Sequence, residues 1–202
     1  MTGRTLYEVR RAGDGDTRTV LDVLTEAFLD DPVTCWLFPK PEERRRLQVL
    51  FANSLLTHGP VETHLVADRA VAVWQFLERG QEPFAEQPDG SGEELLTTVF
   101  GTNTSRMTVL GRSLTERHPR SEPHLYLVAI GVHPERQGTG IGSVLLRHGL
   151  SRADAEGLPA YLEASSPRSR ALYARHGFVD LGAPIRLPDG PPVWPMWRPP
   201  AR

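Results

Sequence analysis

Apolar residues along this chain recur with two periods, and the alternation between those periods predicts most of its elements. Thr5 to Arg10 alternates and predicts a first strand. Val20, Leu21, Leu24, Ala27 and Phe28 then fall on one face of a helix that Asp14 or Asp16 can cap and that Asp31-Pro32 ends. Pro41-Glu42-Glu43 opens a second helix, with Leu47, Leu50, Phe51 and Leu55 at helical spacing and the Arg44–Arg46 run on a solvated face. Val61 to Val66 and Ala70 to Leu77 read as two strands across a turn at Asp68-Arg69, followed by a Pro-, Gly- and charge-rich loop from Glu78 to Gly92. Glu93 to Glu116 is helical in period, with Gly101 and Gly111 as points where it can divide.

The second half repeats the alternation. A strand over His124–Val132 leads through a glycine loop to a helix over Gly140–Glu156, a strand over Pro159–Ala164 and a short helix over Pro167–His176. Two strands follow, around Phe178–Leu187 and Val193–Trp197, with Asp189-Gly190 as a hairpin turn. Helices spaced among strands predict a single α/β (α+β) domain over residues 1–202 with a mixed sheet.

Composition narrows the chemistry. The formal net charge of -2 at pH 7 gives no general attraction to nucleic acid. Cys35 is the one cysteine in the sequence, which excludes an intrachain disulfide and a cysteine metal site. The start, MTGRTLYEVRR, lacks the apolar core of a signal peptide, and no apolar run approaches the ~18 residues that span a bilayer. A cytoplasmic location is expected, with no membrane partner.

The most telling stretch is Leu125 to Ser143, LYLVAIGVHPERQGTGIGS. A strand ends at His133-Pro134, and Gly138, Gly140 and Gly142 lead into a helix whose first N–H groups can hold phosphate oxygens. A nucleoside-triphosphate loop would need a lysine after the last glycine, and Ser143-Val144 stands there. A dinucleotide loop would need its glycines directly after the strand; five residues intervene, although Glu163 lies where a ribose-binding acid could stand. Gln137-Gly138-Thr139-Gly140-Ile141-Gly142, behind Val132, Pro134 and Arg136, fits a third pattern, the diphosphate loop of acyl-CoA enzymes. With Ser165-Ser166-Pro167 and Tyr173-Ala174-Arg175-His176-Gly177-Phe178 further on, the chain resembles the GCN5-related N-acetyltransferases.

The likeness is densest to members that acetylate aminonucleoside antibiotics, from about Val66 to the C-terminus. Ala70–Trp74, Glu122-Pro123, Gly131–Pro134, Pro159–Arg168 and Pro188–Pro191 with Trp194 and Met196 carry it. Ser169 stands where that branch carries Asn, and Thr139 where it carries Lys.

The resemblance implies a mostly antiparallel sheet whose middle strands splay, with acetyl-CoA as co-substrate and no metal. It implies that the cofactor lies along Ile130, Gly131, Val132, Arg136, Gln137, Gly138, Thr139, Gly140, Ile141, Gly142, Ser143 and Ser169. Backbone N–H groups near Ile130 and Val132 would meet the acetyl oxygen. Tyr173 is the candidate acid and Glu163 the candidate base; the alternatives are a packed aromatic and a solvated carboxylate or Arg168 partner. Asp30, Asp31 and Trp36 are candidates for the acceptor site, against the plainer readings of a helix stop and core packing. The expected function is acetyl transfer to the primary amine of a small molecule in a ternary complex, with a homodimer compatible. A protein or peptide amine, or a non-catalytic acyl-CoA sensor, are the other readings.

Overall fold

Strands and helices follow one another almost as the periodicity predicts in a computed structural model of the chain, which describes residues 7–57, 59–83 and 91–201. In order they are β1 (Arg10–Arg11), α1 (Thr17–Phe28), α2 (Pro32–Leu37), α3 (Pro41–Thr57), β2 (Glu62–Val66), β3 (Ala70–Leu77), α4 (Ser91–Phe100) and α5 (Thr104–Arg117). Then come β4 (His124–Val132), α6 (Ile141–Ala155), β5 (Ala160–Ala164), α7 (Pro167–Ala174), β6 (Val179–Asp180), β7 (Ile185–Arg186) and β8 (Pro192–Arg198). The sheet order is β1-β2-β3-β4-β5-β8-β6, with β7 paired to β8 off that path. Every pairing is antiparallel except β4 with β5.

Alternation along the strands sorts side chains to two faces. On one face α6 lays Ile141, Leu145, Leu146 and Leu150 against Trp74, Leu125, Leu127 and Leu162, joined by Tyr173 and Phe178 from α7 and its exit. α6 approaches closely because residue 149 is glycine: a Cβ there would meet the Trp74 ring at 2.4 Å. On the other face α1 packs Val20, Val23 and Leu24 on Leu65, Val71, Val73 and Ala129. Trp36, Phe38, Leu47, Phe100, Met107 and Leu110 build a further apolar cluster with Ile185, Leu187 and Val193.

Several local expectations need correction. Thr5 and Leu6 lie outside the described residues, and the first strand is confined to Arg10 and Arg11. Asp16 occupies the N-cap position of α1 without capping it, because its carboxylate accepts two N–H groups of Arg10 and the Gly13 N–H instead. Asp31-Pro32 ends α1 but also starts α2: Asp31 Oδ1 accepts the Val33 and Thr34 N–H groups, and proline takes the first helical position. The long helix divides at Gly101, whose φ of +54° lies in the left-handed region that favours glycine, and not at Gly111. The arginine run does lie on a solvated face, with Arg45 and Arg46 exposed, while Arg44 donates to Phe38 O and Arg45 pairs with Glu26. The strand expected around Phe178–Leu187 is two short ones, both held by β8.

Candidate active site

The site begins with a gap between the two parallel strands. β4 and β5 pair only at Leu125 with Ala160 and Tyr126 with Tyr161, after which they part. β5 stays in register with β8 along its whole length, so β4 leaves a stretch of its edge uncovered.

A bulge decides which groups that edge presents. Opposite β3 the register steps from Val73–Ala129 to Trp74–Leu127, which makes Val128 an extra residue. The Leu125 N–H donates toward β5, to Pro159 O (2.9 Å), whereas the His133 N–H donates to the other side, to Arg69 O (2.8 Å). Strand N–H groups alternate, so two odd-numbered residues pointing opposite ways require the reversal that Val128 supplies. Beyond it the N–H groups of Ile130 and Val132 face the gap, while their side chains join the α6 cluster. Two donors converge on a space with no strand to accept from them, the arrangement that stabilises a developing oxyanion.

The glycine loop lies at the mouth of this gap. Gly138 (φ +79°) and Gly140 (φ +86°) are both in the left-handed region, and a Cβ on either would meet nothing within 4 Å. Gly142 lets α6 start against β4, since a Cβ there would stand 3.3 Å from Val132 Cγ2. Val144 N–H makes the first bond of α6, to Gly140 O (3.2 Å). The N–H groups of Gly138, Gly140, Ile141, Gly142 and Ser143 meet no acceptor among the described residues. Free donors at the positive end of a fifteen-residue helix suit a diphosphate.

Side chains of the loop shape it. Thr139 Oγ1 donates back to Arg136 O (2.6 Å), closing the turn, while Arg136 itself is exposed. Gln137 ties the loop to its neighbours, donating to Val132 O (3.2 Å) and accepting from Arg168 (2.9 Å). Ser143 Oγ stands 3.1 Å from His176 Nε2. Ser169 is the inner half of a capping box with Ser166, its hydroxyl bonded within that turn. The structure therefore commits Ser169 to starting α7, and the expected cofactor contact from its side chain gives way to that role.

Above the gap, on the face away from α6, lies Glu163. Its side chain is only 7% exposed, so the solvated reading fails, and Arg168 is engaged with Gln137 instead. Tyr126 donates to Glu163 Oε2 (2.8 Å), while Oε1 has no hydrogen-bond partner among the described residues. Tyr161 packs beside Tyr126, and burial, followed by the Glu163 charge, pushes both phenols well above their ordinary range. His118 and His124 complete the cluster, their Nε2 atoms 2.9 Å apart. Neither histidine carries a sequence signal, because His118 follows a helix end and His124 opens a strand, positions where a histidine is usually on the surface.

At the far end of β5 two expected residues, Asp31 and Tyr173, come together. Asp31 Oδ2 accepts from Ser165 Oγ (2.5 Å), which ties the start of α2 to the end of β5. Tyr173 is buried, and its hydroxyl is held in the neutral form first by that burial and then by the nearby Asp31 charge. Burial raises the Asp31 carboxyl, opposed by its bonds from Ser165, Val33 and Thr34. These three bonds make Asp31 a helix cap and a tie between α2 and the end of β5. Asp30 is exposed. Trp36 sits in the core, its indole N–H donating to Pro188 O (2.9 Å) and Arg106 lying over its ring. No group of three metal-binding side chains occurs among the described residues.

A parted strand pair with inward donors, beside a helix that offers free amides, defines an acyl-carrier transferase. The chain belongs to the Acetyltransferase (GNAT) family, whose model matches residues 25–178. An N-acetyltransferase of Schizosaccharomyces pombe is 26% identical over 188 residues, covering 84% of this chain and 73% of the relative. Mycothiol acetyltransferase of Paenarthrobacter aurescens is 38% identical over 77 residues, 35% of this chain and 24% of the relative. Among solved structures, one described as histone acetyltransferase HPA2 and related acetyltransferase from Corynebacterium glutamicum superposes with a TM-score of 0.71 at 30% identity, covering 97% of both chains. Arylalkylamine N-acetyltransferase 2 from Aedes aegypti shares the fold (TM-score 0.63, 12% identity, 95% of this chain and 98% of that one).

Proposed function

We propose that the chain moves an acetyl group from acetyl-CoA to the primary amine of a small molecule, both substrates being held together across the β4–β5 gap. The observation that carries the reading is the pair of donor sets left free among the described residues: Ile130 and Val132 facing the gap, and Gly138 with Gly140 to Ser143 at the start of α6. When bound, acetyl-CoA supplies the acetyl thioester. The loop amides hold its diphosphate, and the two strand amides donate to the acetyl oxygen as it gains charge. Glu163 takes a proton from the acceptor nitrogen, leaving the lone pair that attack requires. Tyr173, kept in its proton-bearing form, donates to the departing sulfur.

The acceptor class rests on the motif likeness to puromycin N-acetyltransferase from about Val66 onward, which points to an aminonucleoside. A peptide amine is the second reading, favoured by the description of the Corynebacterium glutamicum structure. Thiol release from acetyl-CoA, measured with puromycin, tryptamine and a lysine peptide, separates them. Release with puromycin or tryptamine supports the proposal, and release with the peptide alone favours the second reading. Silence with all three, in protein that binds acetyl-CoA, favours a sensor.

A further inference from the structure

The buried cluster above the gap holds more than one candidate base, and its hydrogen bonds fix where protons can sit. His124 Nδ1 lies 3.0 Å from the carbonyl oxygen of Glu122, which can only accept, so that nitrogen carries a hydrogen. His124 is fully buried, and desolvation lowers its affinity for a second proton. Its Nε2 is therefore bare and accepts the hydrogen on His118 Nε2, 2.9 Å away. A neutral His118 must then present a bare Nδ1. That atom is buried without a hydrogen-bond partner among the described residues and lies 3.9 Å from Glu163 Oε1, for which the same holds. In that tautomer two lone pairs would face each other across a space that one proton fits.

We propose that His118 is a positioning residue for the acetyl transfer, sharing with Glu163 the proton that leaves the acceptor amine. The inference rests on the function proposed above. An ammonium gives up two protons in becoming an amide. One is accepted at Glu163 Oε1 and held between that oxygen and His118 Nδ1; the other replaces the proton that Tyr173 delivers to sulfur. The acceptor of the first is a site rather than a single atom, which lets a buried carboxylate take a proton and return it to solvent without a large rearrangement. His124 fixes the tautomer, much as an orienting group fixes a catalytic imidazole.

The surroundings favour one proton in that space. Tyr126 from β4 donates to Glu163 Oε2, and Tyr161 from β5 lies against the same carboxylate. Arg117 of α5 supplies the nearby positive charge felt at Tyr161. Leu77 of β3 and Trp197 of β8 bring no titrating group. Burying the carboxylate oxygen and the imidazole nitrogen unsatisfied is costly, and a transferred proton satisfies both together.

Two measurements test this. In ¹⁵N spectra of the wild-type chain near pH 7.5, His118 should show a hydrogen on Nε2 and a bare Nδ1. A hydrogen on Nδ1 overturns the proposal whatever the activity. His118→Gln keeps a donor toward His124 and removes the base. With the amine that turns over best in the thiol-release panel, it should lower kcat about a hundredfold at pH 7. That deficit should shrink toward pH 9.5, where the amine sheds its own proton, with KM for acetyl-CoA unchanged. An unaltered kcat, or a loss equal at every pH, overturns the role of His118 while leaving the transferase reading intact. A wild-type chain silent on every amine overturns both.

Discussion

Tyr173 shows how one side chain acquires a role from its neighbours. A tyrosine ahead of Gly-Phe is equally at home in a core, and this one does pack on Phe178, with ring centroids 6.0 Å apart. What sets it apart is the Asp31 carboxylate, which adds to burial in keeping the phenol protonated. Tyr173→Phe should lower turnover at least tenfold and leave acetyl-CoA affinity within about twofold, because the lost contact is made only as sulfur departs. Equal losses in affinity and rate would mark a packing residue. Glu163 was legible in the sequence as a candidate base because it ends a strand beside the family's gap. Its partners His118 and Tyr126 were not, since each is brought to it by pairing between segments 37 residues or more apart. Asp31 and Trp36, named for the acceptor, have structural roles that the sequence also allowed, a helix cap tied to Ser165 and a core indole bonded to Pro188 O.

Among elements, β4 and α6 together make the site, and their glycines serve different ends. Gly149 admits the Trp74 ring, whereas Gly140 turns the chain into the helix with its N–H groups free. Gly149→Ala should cost about 1–3 kcal/mol of stability through overpacking, read as a lower Tm, with acetyl-CoA affinity unchanged in the folded protein. Gly140→Ala should also lower Tm, since a left-handed alanine costs about 1–2 kcal/mol, but unlike Gly149→Ala it should weaken acetyl-CoA binding by the folded protein about tenfold, because the strained residue reshapes the loop. The reverse assignment of the binding loss, or a matched effect on binding from both, would show that the loop does not bind. The borders of β4, and the order of loop and helix that follow it, were legible because an apolar run and alternate glycines are local signals. The bulge at Val128 was not, as an extra residue in a continuous apolar run leaves the alternation unmarked. That bulge is what aims Ile130 and Val132, so the oxyanion donors could be expected only from resemblance.

For the molecule as a whole, the mixed sheet with helices on both faces was legible from the alternation of periods. The closure of its far edge was not, because β6 and β7 are two-residue strands that exist only where β8 supplies partners. Three wholly or partly buried histidines add a pH dependence. Burial lowers His64 to about 4 from an ordinary value of 6.5, and it also lowers His124 and His176. Each binds a proton more readily in the unfolded chain, so stability is full above about pH 6.5 and declines as pH falls toward the folded values. Denaturation midpoints should therefore drop between pH 7.5 and 5, before the ion-paired carboxylates of Asp154 and Asp180, which are held low by Arg198 and Arg170, begin to titrate. A midpoint that holds or rises on acidification to pH 5 would contradict this.

The account depends on main-chain donors around the gap meeting the acyl carrier. Amide spectra of the ¹⁵N-labelled chain titrated with CoA and then with acetyl-CoA would observe those donors one by one. Gly138 and Gly140 to Ser143 should shift with either compound, and Ile130 and Val132 should respond further when the acetyl group is present. Saturable binding that leaves these amides unmoved would contradict the account.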